Sequence, residues 1–323
     1  MEHRLIFIIS APRSGSTLLM RILNAVPGIQ GHPELHLLPP LAHLGLWRTV
    51  EKAPFDSLQA QAAMAGIVAA LPGGTRDYVA ACRAYADALY GGLLAGLDAD
   101  ARYLIDKTPA NALVLPELRR LYPEAKVIVL TRHPAAVFVS YAESFFAGDF
   151  EEAVRFNPIL SRYVPAIARF VLEDDGPVLH VTYERLVGEP EAVLGEIGAF
   201  LELEIGMEAL AYGAVPVAAG LGDVEAGRIG RLERREERWR SVLADSVKRR
   251  VVVEQLAGVS DAELGVWGCG VDEVAELGGG GEPGRRRGGV WRWGLVAVRK
   301  AVRRGRGRHW VGRMRDFCDV LLR

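Results

Sequence analysis

The chain has 323 residues, of which 50% are hydrophobic and 24% are charged, and its net charge is −1. This composition is typical of a globular protein with a large core, and one large α/β domain followed by a tail fits the length. The three cysteines, Cys82, Cys269 and Cys318, are far apart and lack metal-ligand spacing, so they indicate neither a disulfide framework nor a zinc site.

The N-terminus has no basic region followed by an apolar segment and a cleavage site, so we expect no signal peptide. No apolar run approaches the length of about 20 residues that a membrane-spanning helix needs. Together with the odd number of cysteines, these features favour a cytoplasmic protein without a transmembrane segment.

Residues Leu5 to Ile9 are all apolar and predict a strand that is buried on both faces. A loop of small residues follows, and the run from Thr17 to Val26 predicts a helix. Such a loop directs several backbone N–H groups and the positive end of the helix dipole at one point. We therefore expect the loop to bind an anion, with a turn that binds nothing as the alternative.

This loop differs from the nucleotide-kinase P-loop, G-x-x-x-x-G-K-[ST], at an important position. Gly15 and Thr17 align with the second Gly and with the Ser/Thr, but Ser16 stands where the kinase has the Lys that contacts the β- and γ-phosphates. The cation of the loop is Arg13 instead. The loop is better suited to a group with less charge than a nucleoside triphosphate.

The connection after the first helix contains a carboxylate and two imidazoles, those of Glu34, His32 and His36. Because they follow closely on an anion loop, these side chains are candidates for a general base. A solvated loop glutamate is the alternative for Glu34. The next two segments, residues 55–70 and 76–97, have apolar residues at helical spacing and are expected to cover the acceptor side of the site.

The middle of the chain alternates between strand-like and helical runs. Strands are predicted within residues 102–109 and 125–130 and near 177–183, and helices over 111–121, 134–146, 158–173, 189–201 and 232–256. This order predicts a parallel sheet whose ligands gather at the carboxyl ends of its strands. Arg13, Lys107 and Arg132 each follow a predicted strand, and three cations at adjacent strand ends indicate an anionic ligand.

Three motifs resemble those of sulfotransferases that use 3′-phosphoadenosine 5′-phosphosulfate (PAPS). They are P-R-S-G-S-T at 12–17, T-R-H-P-A-A-V-F-V-S-Y at 131–141 and Y-E-R-L at 183–186, and the resemblance extends over residues 4–257. It implies a P-loop-like α/β fold with a parallel sheet flanked by helices. It also implies in-line transfer of a sulfuryl group from PAPS to an acceptor hydroxyl, or to an amine, without a metal.

The resemblance assigns the donor to one set of residues. They are Arg13, Ser14, Gly15, Ser16 and Thr17 at the 5′-phosphosulfate, Arg132 and Ser140 at the 3′-phosphate, Tyr183 near the adenine, and Arg228 with Arg231 in a covering loop. At the 3′-phosphate, a guanidinium can donate two parallel hydrogen bonds to phosphate oxygens while a hydroxyl donates one to a third oxygen. The covering loop departs from the R-K-G-x-x-G pattern of cytosolic enzymes.

The resemblance also assigns the catalytic roles. Lys107, in D-K-T-P, is similar to a Lys that reaches the sulfuryl oxygens in tyrosylprotein-type enzymes, and with Arg13 it would stabilise developing charge; a rim salt bridge is its alternative. Glu34 lies five residues before Pro39, as does the catalytic Glu of those enzymes. Cytosolic relatives use a His, so His32 and His36 stay open as bases.

Two other functions compete with this hypothesis. A small-molecule or nucleoside kinase would share the framework, but it would need the missing Lys and an Asp for Mg²⁺ where the third strand ends in Thr131-Arg132. A binding module could keep the nucleotide site and lack catalysis. The expected acceptor is a small molecule or a carrier-bound hydroxyl, and no specific nucleic acid is expected.

The C-terminus is expected to form a separate tail. A Gly-rich linker begins at residue 278, which divides the chain into a sulfotransferase domain, 1–277, and a tail, 278–323. Residues 285–323 hold 13 Lys and Arg against two Asp, and apolar residues at helical spacing predict a basic amphipathic helix. It would bind an acidic partner, an anionic membrane surface or the acidic body of its own chain; a poorly ordered tail is the alternative.

Overall fold

The computed structural model describes residues 1–32, 34–43, 47, 57–96, 101–214 and 238–277. The predicted covering loop with Arg228 and Arg231, the predicted tail and the side chain of His32 lie outside the described residues. The division into a domain and a tail at residue 278 therefore stays a prediction. No helix in the described ranges is both long and apolar enough to cross a membrane.

A parallel sheet forms the centre of the described fold. Its strand order is β2-β3-β1-β4-β5, and every neighbouring pair is parallel. The strands are β1 Leu5–Ile9, β2 Ile29–His32, β3 Tyr103–Asp106, β4 Lys126–Thr131 and β5 Val178–Thr182. The three strands that precede the predicted cations, β3, β1 and β4, are thus adjacent at the middle of the sheet, which confirms the expected α/β class.

Helices cover both faces of this sheet. They are α1 Ser16–Asn24, α2 Leu38–Ala42, α3 Ser57–Ala70, α4 Thr75–Ala95, α5 Leu115–Leu121, α6 Pro134–Phe146, α7 Phe150–Phe156, α8 Ile159–Glu173, α9 Tyr183–Gly188, α10 Pro190–Leu201, α11 Arg238–Val242, α12 Ser246–Leu256, α13 Asp261–Val266 and α14 Val271–Leu277. Short 3₁₀ helices span Glu2–Arg4, Pro109–Leu113 and Met207–Ala214.

Strand β1 shows why both faces need cover. All five of its residues are fully buried, and alternate side chains point to opposite faces of the sheet. Leu5, Phe7 and Ile9 join one apolar cluster, whereas Ile6 and Ile8 join a second cluster on the other face. A strand buried on both faces reads as a continuous apolar run, which is how the sequence predicted it.

Strand β2 was not predicted. Gln30 to His32, which are polar or Gly, were expected to belong to the connection after the first helix. The structure pairs β2 with β3 and ties Gly31 to helix α1, since the Gly31 N–H donates to Asn24 Oδ1 at 2.6 Å. A Cβ at Gly31 would approach side-chain atoms of Asn24 and Met20 to 2.8 Å, so a larger residue here would require these side chains to move.

Two helix boundaries also differ from the prediction. The helix expected over 111–121 begins as the 3₁₀ turn Pro109–Leu113 and becomes α-helical only at Leu115. Within the expected helix over 232–256, the described part contains two helices, α11 and α12. Asp245 separates them because its carboxylate accepts hydrogen bonds from the N–H groups of Val247 and Lys248, which is an N-cap.

Candidate functional site

The carboxyl ends of β3, β1 and β4 bring the predicted cations together. Lys107 directly follows β3, Arg132 directly follows β4, and Arg13 lies in the loop after β1. Arg132 Nη1 donates a hydrogen bond to the Arg13 carbonyl at 3.3 Å, and Arg13 Nε donates to Ser140 Oγ at 3.1 Å. Residues 13, 132 and 140, predicted from two separate motifs, therefore form one connected group.

The loop after β1 has the geometry of an anion cradle. Gly15 precedes helix α1 with a φ of 94°, a left-handed conformation that favours Gly. Helix α1 begins at Ser16, so Ser16 and Thr17 present N–H groups of its first turn. The Ser14 hydroxyl is buried and has no hydrogen-bond partner among the described residues. A buried hydroxyl beside these N–H groups fits a bound oxyanion.

Tyr183, the first residue of α9, forms one wall of this cradle. A Cβ at Gly15 would lie 2.5 Å from Tyr183 Cδ2, so the backbone of the loop passes directly against the ring. The Arg132 guanidinium lies over the same ring, 4.4 Å from its centroid. The ring therefore stacks with the cation predicted to bind the 3′-phosphate and keeps it beside the loop.

Glu34 and Lys107 contact each other at the other end of the site. Lys107 Nζ donates to Glu34 Oε1 at 2.7 Å, and Lys107 is 1% exposed. His36 Nε2 lies 3.4 Å from Glu34 Oε2. Burial alone would raise the pKa of Glu34, but the hydrogen bond from His36 and the charge and hydrogen bond of Lys107 outweigh burial and lower it. The Glu34 carboxylate is thus ionised at neutral pH.

His133, for which the sequence predicted no role, fixes the loop that carries Arg132. Its ring stacks on Trp239 with centroids 4.3 Å apart, and its Nδ1 accepts a hydrogen bond from the Ala135 N–H. With Nδ1 as acceptor, the proton of a neutral ring is on Nε2, which faces Glu273 Oε1 at 3.2 Å. Burial lowers the pKa of His133, which favours the neutral ring.

Cys269 lies in the same cluster, and its ligand atom is within 4.8 Å of those of His133 and Glu273. A metal ligand needs the free electron pair of the ring nitrogen, but Nε2 of this tautomer carries a proton. The cluster therefore fits a contact between helices better than a metal centre. This role depends on contacts of His133 with Trp239 of α11 and Glu273 of α14, which are far from it in the sequence. The sequence near His133 contains no signal for these contacts.

Comparisons of the sequence with family models and with curated proteins find sulfotransferases. A family model described as "Sulfotransferase family" matches residues 5–207. The nodulation protein NoeE of Sinorhizobium fredii is 38% identical over 134 residues, which cover 42% of this chain and 30% of NoeE, so the chain spans less than a third of that relative. A putative protein-tyrosine sulfotransferase of Caenorhabditis briggsae is 28% identical over 219 residues, covering 64% of this chain and 69% of the relative.

A solved structure agrees with the fold. The sulfotransferase domain from the curacin biosynthetic pathway superposes with a TM-score of 0.50 at 23% identity and covers 78% of this chain and 95% of that domain. The family match extends from β1 to the 3₁₀ helix at Met207 and includes the anion loop, the Glu34 and Lys107 segments and the Arg132 motif. The chain belongs to the sulfotransferase family.

Proposed function

We propose that this protein transfers the sulfuryl group of PAPS to an acceptor hydroxyl, or less favourably to an amine. The observation that carries the proposal is that polar and charged side chains come together at the carboxyl ends of the three adjacent strands β3, β1 and β4. An anion cradle lies between an Arg132–Arg13–Ser140 group on one side and a Glu34–Lys107 pair on the other. A sulfuryl donor with phosphate at both ends of a nucleoside needs such a site.

The cradle and its neighbours would hold the donor. The N–H groups of Gly15, Ser16 and Thr17 and the Ser14 hydroxyl suit the 5′-phosphosulfate end. Arg132 suits the 3′-phosphate, as does Ser140, because its hydroxyl oxygen accepts from Arg13 and its hydrogen can still be donated. When bound, the donor would supply an activated sulfuryl group on a phosphate leaving group.

Tyr183 is proposed to contact the adenine, and Arg228, outside the described residues, to cover the 3′-phosphate. Tyr183 stacks with Arg132 and closes the cradle, so an adenine contact would use the same ring that positions the phosphate-binding cation. These two assignments rest on the family resemblance of their motifs.

The Glu34 carboxylate is the proposed general base. It would accept the proton of the acceptor hydroxyl as that oxygen attacks sulfur, and the proton ends on a carboxylate oxygen. Lys107 and Arg13 would stabilise the negative charge that develops on the sulfuryl and leaving oxygens. Both cations are held in place before the reaction, by Glu34 and by Ser140, so little reorganisation is needed.

The same contacts argue against the kinase alternative. Ser16 begins helix α1 where a kinase P-loop has its Lys, and β4 ends in Thr131, whose hydroxyl donates to the Val266 carbonyl at 3.3 Å and lies 2.8 Å from His180 Nε2. Arg132 follows at once and turns to the Arg13 carbonyl. This strand therefore ends in Thr131-Arg132, where a kinase would need an Asp to hold Mg²⁺.

Incubation with PAPS and a panel of acceptors tests the proposal. The panel contains phenols, alcohols, sugars and carrier-bound hydroxyacids, and mass spectrometry measures sulfated product together with adenosine 3′,5′-bisphosphate. We expect product with PAPS in the presence of EDTA. Phosphorylated product with ATP and Mg²⁺, and none with PAPS, would contradict the proposal and support the kinase.

A further inference from the structure

Asp106 is a buried acidic residue that the proposed reaction does not use, and burial raises the pKa of its carboxyl group. It ends β3, directly before Lys107, and its side chain is fully buried. The Tyr90 hydroxyl of α4 donates to Asp106 Oδ2 at 2.6 Å, and the Thr108 hydroxyl donates to Asp106 Oδ1 at 2.8 Å. A buried carboxylate is costly unless its oxygens are paired, and here each oxygen accepts a hydrogen bond.

The Thr108 hydroxyl links this carboxylate to the Glu34 segment. Its oxygen accepts hydrogen bonds from the N–H groups of Leu35, at 3.1 Å, and His36, at 3.2 Å. A hydroxyl has two acceptor positions and one hydrogen. Because both acceptor positions are used by the backbone, the hydrogen must point to another acceptor, and Asp106 provides it. The two hydrogen bonds that the Thr108 hydroxyl accepts and the one that it donates thus fix its orientation.

These bonds hold the backbone directly after Glu34. His36 has a φ of 51°, a left-handed conformation that is costly for a residue other than Gly and persists only when neighbouring contacts hold it. Lys107, between Asp106 and Thr108 in sequence, meanwhile binds the Glu34 carboxylate itself. Three consecutive residues therefore hold the glutamate segment at the side chain and at two backbone N–H groups.

We propose that Thr108, oriented by Asp106 and Tyr90, is a positioning residue that holds the Glu34 carboxylate in place for proton abstraction. This inference rests on the proposed role of Glu34 as base. A general base acts only within hydrogen-bond reach of the proton that it removes, and a displacement of about 1 Å lowers the rate by about 10²-fold. Asp106 and Tyr90 act through Thr108 and do not touch the substrates.

The inference is tested by comparing Thr108→Val with the matched control Thr108→Ser. Val has nearly the same volume as Thr but no hydroxyl, whereas Ser keeps the hydroxyl and lacks the methyl group. We expect Thr108→Val to lower kcat by about 10- to 100-fold. The affinity for adenosine 3′,5′-bisphosphate should change less than about twofold, since the nucleotide site lies at other strand ends, and Thr108→Ser should keep most of kcat.

A second readout follows the backbone directly. Hydrogen exchange of the Leu35 and His36 amides, measured by mass spectrometry, should become faster in Thr108→Val and return to the wild-type rate in Thr108→Ser. Unchanged kcat in Thr108→Val, or equal losses of kcat in the Val and Ser variants, would overturn the inference. If Thr108→Val does not fold, Tyr90→Phe takes its place, since it removes only the hydroxyl that supports Asp106; unchanged kcat there overturns the inference equally.

The outcome for the proposed function is separate. A wild-type protein that neither binds adenosine 3′,5′-bisphosphate nor sulfates any acceptor would contradict the proposed function, whatever the Thr108 variants do. A wild-type enzyme that is active and loses turnover in Glu34→Gln, but keeps it in Thr108→Val, would leave the proposed function intact and remove only the positioning role of Thr108.

Discussion

Replacing Glu34 with Gln separates the proposed proton acceptor from the residues that bind the donor. Gln keeps the size of the side chain and a carbonyl oxygen that can accept the hydrogen bond from Lys107 Nζ, now 2.7 Å from Glu34 Oε1. It removes the negative charge and the proton acceptor. The structure therefore predicts a large effect on catalysis and a smaller effect on stability.

The catalytic effect should be a fall in turnover of about 10²- to 10⁴-fold, which is the usual contribution of a positioned general base. Stability should fall by about 1–3 kcal/mol, because Lys107 is 1% exposed and would lose the charge of its partner while keeping a hydrogen bond. The affinity for adenosine 3′,5′-bisphosphate should hardly change, since Arg132 and Ser140 bind to Arg13 in the loop after β1, whereas Glu34 pairs with Lys107 after β3.

The pH dependence of stability provides an internal check. Contacts in the folded protein lower the pKa of Glu34 below its ordinary value of 4.5, so the folded state favours the ionised carboxylate. A group of this kind contributes stability above the unfolded pKa and loses it as the pH falls through the folded pKa. The difference in unfolding free energy between wild type and Glu34→Gln should therefore be full at neutral pH and shrink below about pH 4.5.

The assays are turnover at saturating PAPS and acceptor, calorimetric titration with adenosine 3′,5′-bisphosphate, and denaturant unfolding at several pH values. The matched control is His36→Ala, which removes the neighbouring imidazole and leaves the carboxylate. Near-normal turnover in Glu34→Gln together with an inactive His36→Ala would refute the reasoning, and it would assign the base to His36.

Two other variants test the donor site. Gly15→Ala should weaken nucleotide binding and lower stability by about 1–3 kcal/mol, because the φ of Gly15 is 94° and the new Cβ would lie 2.5 Å from Tyr183. Calorimetry measures the binding and thermal unfolding measures the stability. Nucleotide binding as tight as that of the wild type would contradict the anion cradle. Arg132→Ala should weaken binding of adenosine 3′,5′-bisphosphate by about 10- to 100-fold and slow the saturated enzyme much less, since the 3′-phosphate is remote from sulfur. A loss confined to kcat would place Arg132 at the reacting group.

The sequence predicted those parts of the site that depend on local patterns. Leu5–Ile9 is an apolar run before a small-residue loop, which is sufficient to predict a buried strand and an anion cradle. Lys107 and Arg132 directly follow predicted strands. In the parallel sheet, the carboxyl ends of these strands, β3 and β4, lie on either side of β1, as expected. The resemblance to a family motif predicted Glu34, and in the structure Glu34 pairs with Lys107.

The parts that were missed depend on contacts between distant residues. Thr108 meets the backbone of Leu35 and His36 across more than 70 residues, and nothing near Thr108 in sequence indicates it. The pairing of His133 with Glu273 is of the same kind. Strand β2 was missed for a different reason, because its polar residues gain their strand conformation from pairing with β3 and from the Asn24 side chain.

The relative affinity for adenosine 3′,5′-bisphosphate and AMP tests the central claim most directly, because it requires no knowledge of the acceptor. The two nucleotides differ only in the 3′-phosphate, for which Arg132 and Ser140 are proposed. Titration calorimetry in EDTA should show tighter binding of the bisphosphate by about 2–4 kcal/mol, from charge-assisted hydrogen bonds that AMP cannot make. Equal affinities for the two nucleotides would contradict the assignment of PAPS as the donor.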